Sequence, residues 1–221
     1  MKPNQDDMFG SPPEVNAEIA PGFRHPRDVN FTSASVTGKI ISVRGTNGSG
    51  KTTVVRRVME LFSVKAPVYI DGRKNPYYYM LANGDAGYGA VIIGSYENTT
   101  GGCDTISGTA PIYELVKMHA LAGRDVIFEG LMHAQDVNHT TLLTLPQHLI
   151  YLATTQEECI ASTKTRRAAA GNEKELDPKN LISKYKGVQS AFNRTANLPH
   201  VTQFKLSRED AFQKVRELIG V

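Results

Sequence analysis

The sequence predicts an α/β protein with a mostly parallel sheet covered on both faces by helices. Short β-branched runs recur along it, segments of helical periodicity separate them, and glycine- or proline-bearing turns lie between. With 221 residues, 40% of them apolar and 21% charged, the chain can bury one sizeable core and little more than one domain.

Residues 1–38 stand apart. They hold five of the 11 prolines and scattered apolar residues without period, so they read as a flexible tail or surface-wrapping arm. The folded domain is expected over 39–221. Residues 39–44 (KIISVR) read as the first strand, and residues 52–62 carry Val54, Val55, Val58, Leu61 and Phe62 at helical spacing. Residues 67–71 (PVYID) read as the second strand, and seven glycines follow between Gly84 and Gly108. A helix opens at Pro111 and runs to about Ala122, with Gly123 as its stop. Residues 125–129 (DVIFE) and 148–152 (HLIYL) are the third and fourth strands. Thr155 and Glu158 have capping-box spacing at the head of the next helix. Asp177-Pro178 opens another, with Leu181, Tyr185, Val188 and Phe192 along one face. Residues 201–206 form the fifth strand, and Ser207 with Asp210 caps the last helix. No internal repeat is visible.

Charge and composition exclude several classes. Twenty-five basic against 22 acidic residues give +3, too little by itself to argue for nucleic acid. The basic character is concentrated late: residues 164–221 hold 12 Lys and Arg against 6 Asp and Glu. Cys103 and Cys159 are too few for a disulfide framework or a four-cysteine zinc site. None of the six histidines has metal-ligand spacing. No apolar run approaches the ~20 residues that span a bilayer, and the N-terminus lacks a signal-peptide stretch. These features point to a soluble cytoplasmic protein without a membrane partner; they leave the oligomeric state open.

The strongest chemical signal is Gly45-Thr46-Asn47-Gly48-Ser49-Gly50-Lys51-Thr52, followed by Thr53. It satisfies G-x-x-x-x-G-K-[ST] directly after a strand and before a helix. Such a loop turns backbone N–H groups onto phosphate oxygens at the positive end of a helix. Lys51, expected to face solvent when the loop is empty, would reach the outer phosphates of ATP, and the Thr52 hydroxyl would ligate Mg²⁺. The guanine-reading N-K-x-D of GTPases is absent, and the third strand ends in a single acid. That economy suits a small kinase: a P-loop three-layer sandwich, five strands in the order 2-3-1-4-5, and an arginine-bearing lid. Arg166 and Arg167, in Thr163-Lys164-Thr165-Arg166-Arg167 after the fourth strand, are the lid candidates.

Asp71 ends the second strand and Glu129 the third, so both are expected in the crevice at the strand ends. Asp71 is assigned as general base with Arg73 positioning the acceptor, and Glu129 as metal-shell residue or alternative base. The long polar loop 95–106 (SYENTTGGCDTI) offers Tyr96, Asn98 and Asp104 to a base edge. Tyr77, Tyr78 and Tyr79, close after Arg73-Lys74, offer aromatic faces to an unstacked base, with one or two of them expected in the core.

Together GTNGSGKTT, VIFEGLM, TKTRR and YENTTGGCDTI resemble the thymidylate-kinase-like P-loop kinases of bacteriophages, and among them the 5-hydroxymethyluracil DNA kinases. The resemblance covers residues 39–221. It implies ATP-dependent phosphorylation of the hydroxymethyl group of 5-hydroxymethyluracil in phage DNA, a step in thymidine hypermodification and restriction evasion. The D-R-[YH] motif of ordinary thymidylate kinases is replaced by Glu129-Gly130-Leu131, which puts a nucleoside monophosphate site in doubt. Three readings stay open: a kinase of a modified base in DNA, a kinase of a free deoxynucleotide or small alcohol, and a P-loop ATPase switch.

Overall fold

The computed structural model describes residues 37–70, 72–84, 87, 89–98, 101–172 and 176–221. The expected arm lies almost wholly outside these residues, as do Asp71 and Lys174. The chain runs β1 (Ile40–Arg44), α1 (Lys51–Met59), β2 (Val64–Val68), β3 (Tyr78–Ala82), β4 (Ala90–Ile93), α2 (Ala110–Leu121) and β5 (Asp125–Glu129). It continues through α3 (Leu131–Gln135), α4 (Asn138–Leu142), β6 (Gln147–Leu152), α5 (Gln156–Ala169), α6 (Pro178–Thr195), β7 (Val201–Leu206) and α7 (Arg208–Ile219).

The strands form one sheet in the order β2-β3-β4-β5-β1-β6-β7. This corrects the five-stranded expectation and its order. Five strands from β4 to β7 pair in parallel, while β2 and β3 add an antiparallel edge. The expected second strand is displaced: the segment that pairs is Val64–Val68, on the outside of the sheet, and β4 takes the place beside β5. The strand expected to end at Asp71 is therefore not a parallel one. β3 and β4, YYMLA and AVII, were hidden because both are buried on two faces and show no alternation.

Side-chain alternation along β1 divides the interior. Ile41 and Val43 pack with Val54, Val55 and Val58 of α1 and with Phe212 and Val215 of α7. Ile40 packs on the other face with Val126, Phe128 and the α2 residues Ile112 and Val116. The caps form where the spacing requires them. Thr155 and Glu158 complete a capping box on α5, and Asp177 and Ser207 accept first-turn N–H bonds on α6 and α7.

One buried charge interrupts the apolar pattern. Arg44 is 0% exposed and donates to Ser42 Oγ, Thr140 Oγ1, Tyr151 Oη and the Asp136 carbonyl. Those bonds tie the end of β1 to α4 and β6. A buried cation left unpaired costs several kcal/mol, so each of these acceptors is a structural requirement.

Ile127, fully buried in β5 between β1 and β4, tests the packing. Ile127→Ala is expected to lower unfolding free energy by about 2–5 kcal/mol in urea denaturation.

Candidate active site

β1 enters the glycine-rich turn that starts α1. Gly50, the N-cap, sits at φ 97°, a left-handed conformation costly for any other residue. A Cβ there would also lie 2.6 Å from Arg208 Nε. No side chain caps α1 and no acid occupies its first turn, which leaves the positive end of the helix dipole for an anionic ligand. The turn is braced from behind: Ser49 O accepts from Arg208 Nε at 2.9 Å and from Thr154 Oγ1 at 3.0 Å. Thr46 and Ser49 are buried in it, whereas Asn47, Gly48, Gly50, Lys51, Thr52 and Thr53 line a cleft of about 430 Å³. Lys51 corrects the expectation of a solvent-facing amine. It is only 7% exposed, because Nζ folds back to donate to Thr46 O at 3.1 Å.

Glu129 forms the cleft floor. It is 1% exposed, and its Oε1 accepts from Thr52 Oγ1 at 2.8 Å. Burial pushes its carboxyl above the ordinary carboxylate range, the Lys51 charge and the Thr52 hydroxyl oppose the rise, and Asp104 adds to it. The loop after β4 comes down on this carboxylate. Gly102, at φ 80°, lies so close that a Cβ would approach Glu129 Oε1 to 2.5 Å. Gly102 thus serves contact with Glu129, whereas a Cβ at its neighbour Gly101 would meet Ser95 O at 2.8 Å.

The opposite wall carries Gly101, Asp104 and Thr105. Both Asp104 oxygens accept from the Leu131 N–H at 3.0 Å, which links this wall to the start of α3. Arg73 donates to Thr105 O at 2.6 Å and stacks on Tyr77, so it borders the cleft from behind that wall. Tyr77, Tyr79 and Tyr96 are buried in the core and do not line the cleft. Tyr79 donates to Glu97 and accepts from the Tyr96 N–H; burial pushes its phenol up to about 12. Asn98 is exposed, and its carbonyl is held by Arg56. Of the lid pair, Arg166 lines the cleft and Arg167 does not. Burial raises both thiols, Cys103 well above its usual range and Cys159 to about 11, which makes neither a nucleophile.

Two cleft arginines escaped the sequence reading. Arg56 stands four residues beyond Thr52 on α1 and donates to the carbonyls of Tyr96 and Asn98. Helical spacing could have found it, since i and i+4 share a face. Arg208 carries no local signal; only the approach of α7 to Ser49 brings it to the turn.

Sheet, turn and cleft set an uncapped helix N-terminus at the carboxyl ends of parallel strands in an α/β protein. The chain belongs to the 5-hmdU DNA kinase family, whose sequence model matches residues 21–210, and it is accordingly a phosphotransferase. It is 35% identical to the 5-hmdU DNA kinase of Pseudomonas phage PaMx11 over 187 residues, 82% of this chain and 97% of that protein. It is 25% identical to the 5-hmdU DNA kinase of Delftia phage PhiW-14 over 176 residues, 72% of this chain and 64% of that protein.

The burial of Glu129 has a measurable consequence. A carboxyl whose folded pKa is raised loses folded stability as pH climbs through its titration, since the folded state binds the proton more tightly. Glu129→Gln is expected to raise Tm at pH 7.5. Melting curves should show the gap closing as pH falls into the ordinary carboxylate range.

Proposed function

We propose that the protein is an ATP-dependent kinase of the hydroxymethyl group of 5-hydroxymethyluracil in phage DNA, acting in the host cytoplasm in thymidine hypermodification and restriction evasion. The observation that carries the reading is the contact of Thr52 with buried Glu129 beside Lys51, at the open head of α1. In it, residues 45–53 are a P-loop: backbone N–H groups of the turn hold the ATP phosphates, and Lys51 leaves Thr46 O to reach the outer ones. The Thr52 hydroxyl and Glu129 carboxylate are hard oxygen donors close together, a set that would hold Mg²⁺. When bound, that ion supplies neutralising charge for phosphoryl transfer.

Transfer is in line, so the acceptor oxygen approaches the γ-phosphorus from the side away from the turn, along the wall of Gly101, Asp104 and Thr105. The acceptor oxygen bonds to phosphorus as the bridge to ADP breaks, and its proton passes to a carboxylate, with Asp71 as the base and Glu129 as the alternative. Asp71 lies outside the described residues; the bond of its neighbour Arg73 to Thr105 O supports a place for that segment beside the acceptor. Asp104 and the Asn98 loop are proposed to receive the acceptor base, while the buried Tyr77 and Tyr96 support that loop from beneath. A base in duplex DNA must leave the stack to enter, at a cost of a few kcal/mol. Arg166 supplies charge and excludes water from the lid side.

The protein is expected to move ³²P from γ-labelled ATP to internal positions of hydroxymethyluracil DNA and not to thymine DNA. Lys51→Ala should abolish transfer while circular dichroism stays normal. Labelling of a free deoxynucleotide with the polymer unlabelled would replace the DNA reading by a small-acceptor kinase, and steady ATP hydrolysis without any labelled product would indicate a switch ATPase.

The two lid arginines should separate. Because only Arg166 lines the cleft, Arg166→Ala is expected to lower kcat by about 10²-fold or more, and Arg167→Ala by less than about tenfold. Steady-state kinetics with both variants checks this; equal losses would mean general electrostatics.

A further inference from the structure

α6 is the longest helix among the described residues, 18 residues, with four Lys and Arg side chains and no Asp or Glu. Its buried positions, Leu181, Val188, Ala191 and Thr195, lie along one face. On the other, Lys179, Ser183, Lys186, Ser190, Asn193 and Arg194 are all exposed. Lys179, Lys186 and Arg194 have no ion-pair or side-chain hydrogen-bond partner among the described residues. On α1 and α7, by contrast, Arg57 pairs with Glu209 and Lys214 with Glu217. Lys179 also sits in the first turn, where a cation opposes the helix dipole. Among the described residues, no intrachain pairing accounts for this charge.

Its place in the fold supplies a reason. α6 follows α5, which brings Arg166 to the cleft, and it docks on α3, where Gln135 Nε2 donates to Lys184 O at 2.9 Å. A Cβ at Gly187 would stand 2.8 Å from Gln135 Nε2, so the two helices meet closely. α3 begins at Leu131, whose N–H is held by Asp104 on the acceptor wall. The basic face is thus joined by one short helix to the wall that receives the acceptor.

We propose that the exposed face of α6 binds the phosphate backbone of the DNA whose base enters the cleft. This inference rests on the DNA-kinase reading above. Three cations are interleaved with hydroxyl and amide donors along about 22 Å of helix. At about 3.4 Å of axis per phosphate on one strand, that length spans roughly six phosphates. The contacts position the polymer without reading sequence and leave the base to the cleft.

The test compares the full-length wild type with Lys179→Gln/Lys186→Gln/Arg194→Gln, which keeps good helix formers in the exposed positions. A charge-matched variant on other surfaces, Lys65→Gln/Lys117→Gln/Lys205→Gln, controls for net charge. KM and kcat are measured with hydroxymethyluracil DNA of ~30 base pairs and with a hydroxymethyluracil dinucleotide, which has a single internucleotide phosphate. The α6 variant is expected to raise KM for the long DNA roughly 10- to 100-fold, with kcat, the KM for ATP and activity on the dinucleotide near wild type. The slope of log affinity against log salt should fall by about 2–3, and the control should behave as wild type. An unchanged KM and salt slope in the α6 variant, equal losses in the control, or a parallel loss on the dinucleotide would each overturn the inference while leaving the kinase reading intact. A wild type that labels the dinucleotide and not the long DNA would overturn the DNA reading and this inference with it.

Discussion

A carboxylate held in the interior is the constraint around which the cleft is organised. Glu129 ends a strand whose Val126, Ile127 and Phe128 are core, and its position there follows from the pairing of β5 between β1 and β4. Desolvation disfavours its charge, and the groups that offset part of that cost come from elsewhere in the chain: the Lys51 amine and the Thr52 hydroxyl, both at the head of α1. A hydrogen bond to a charged group contributes about 1.5–3 kcal/mol, comparable to burying one aliphatic side chain. Turn, strand and carboxylate therefore hold one another in place.

The same carboxylate explains the long polar loop after β4. Gly102 brings backbone against Glu129 where any Cβ would collide, and the approach closes one side of the cleft. Arg56 holds the loop through two carbonyls, so the helix that opens at Thr52 also carries the support for the acceptor wall. Behind the glycine-rich turn, Arg208 and Thr154 fix Ser49 O from α7 and from the end of β6. Preorganisation of this kind lets charged groups act on a transferring phosphoryl group with little reorganisation at the moment of reaction.

Much of this was legible from local signals. The turn at residues 45–52, the caps Thr155, Asp177 and Ser207, and the strands at 40–44, 125–129 and 201–206 each depend on neighbours within a few positions. What failed depended on partners far along the chain. β3 and β4 have no period because they are buried on both faces, and β2 moved to the edge because it pairs only with β3. The three tyrosines suggested a stacking platform, but β3 turns Tyr79 into the core, and Tyr77, just before β3, lies under Arg73.

By itself, the sequence determined the α/β class, the strand–turn–helix that opens the cleft, the acid at the end of β5 and the family to which the chain belongs. Glycine tolerance of positive φ, capping chemistry and hydrophobic period are properties of short segments, so they can be read without knowing what lies opposite. Only the tertiary structure decided that Arg166 and not Arg167 meets the cleft, and that Arg208 belongs to it. Those outcomes are set by packing between elements as many as 159 residues apart, as in the Arg208–Ser49 bond, and no local pattern encodes that distance.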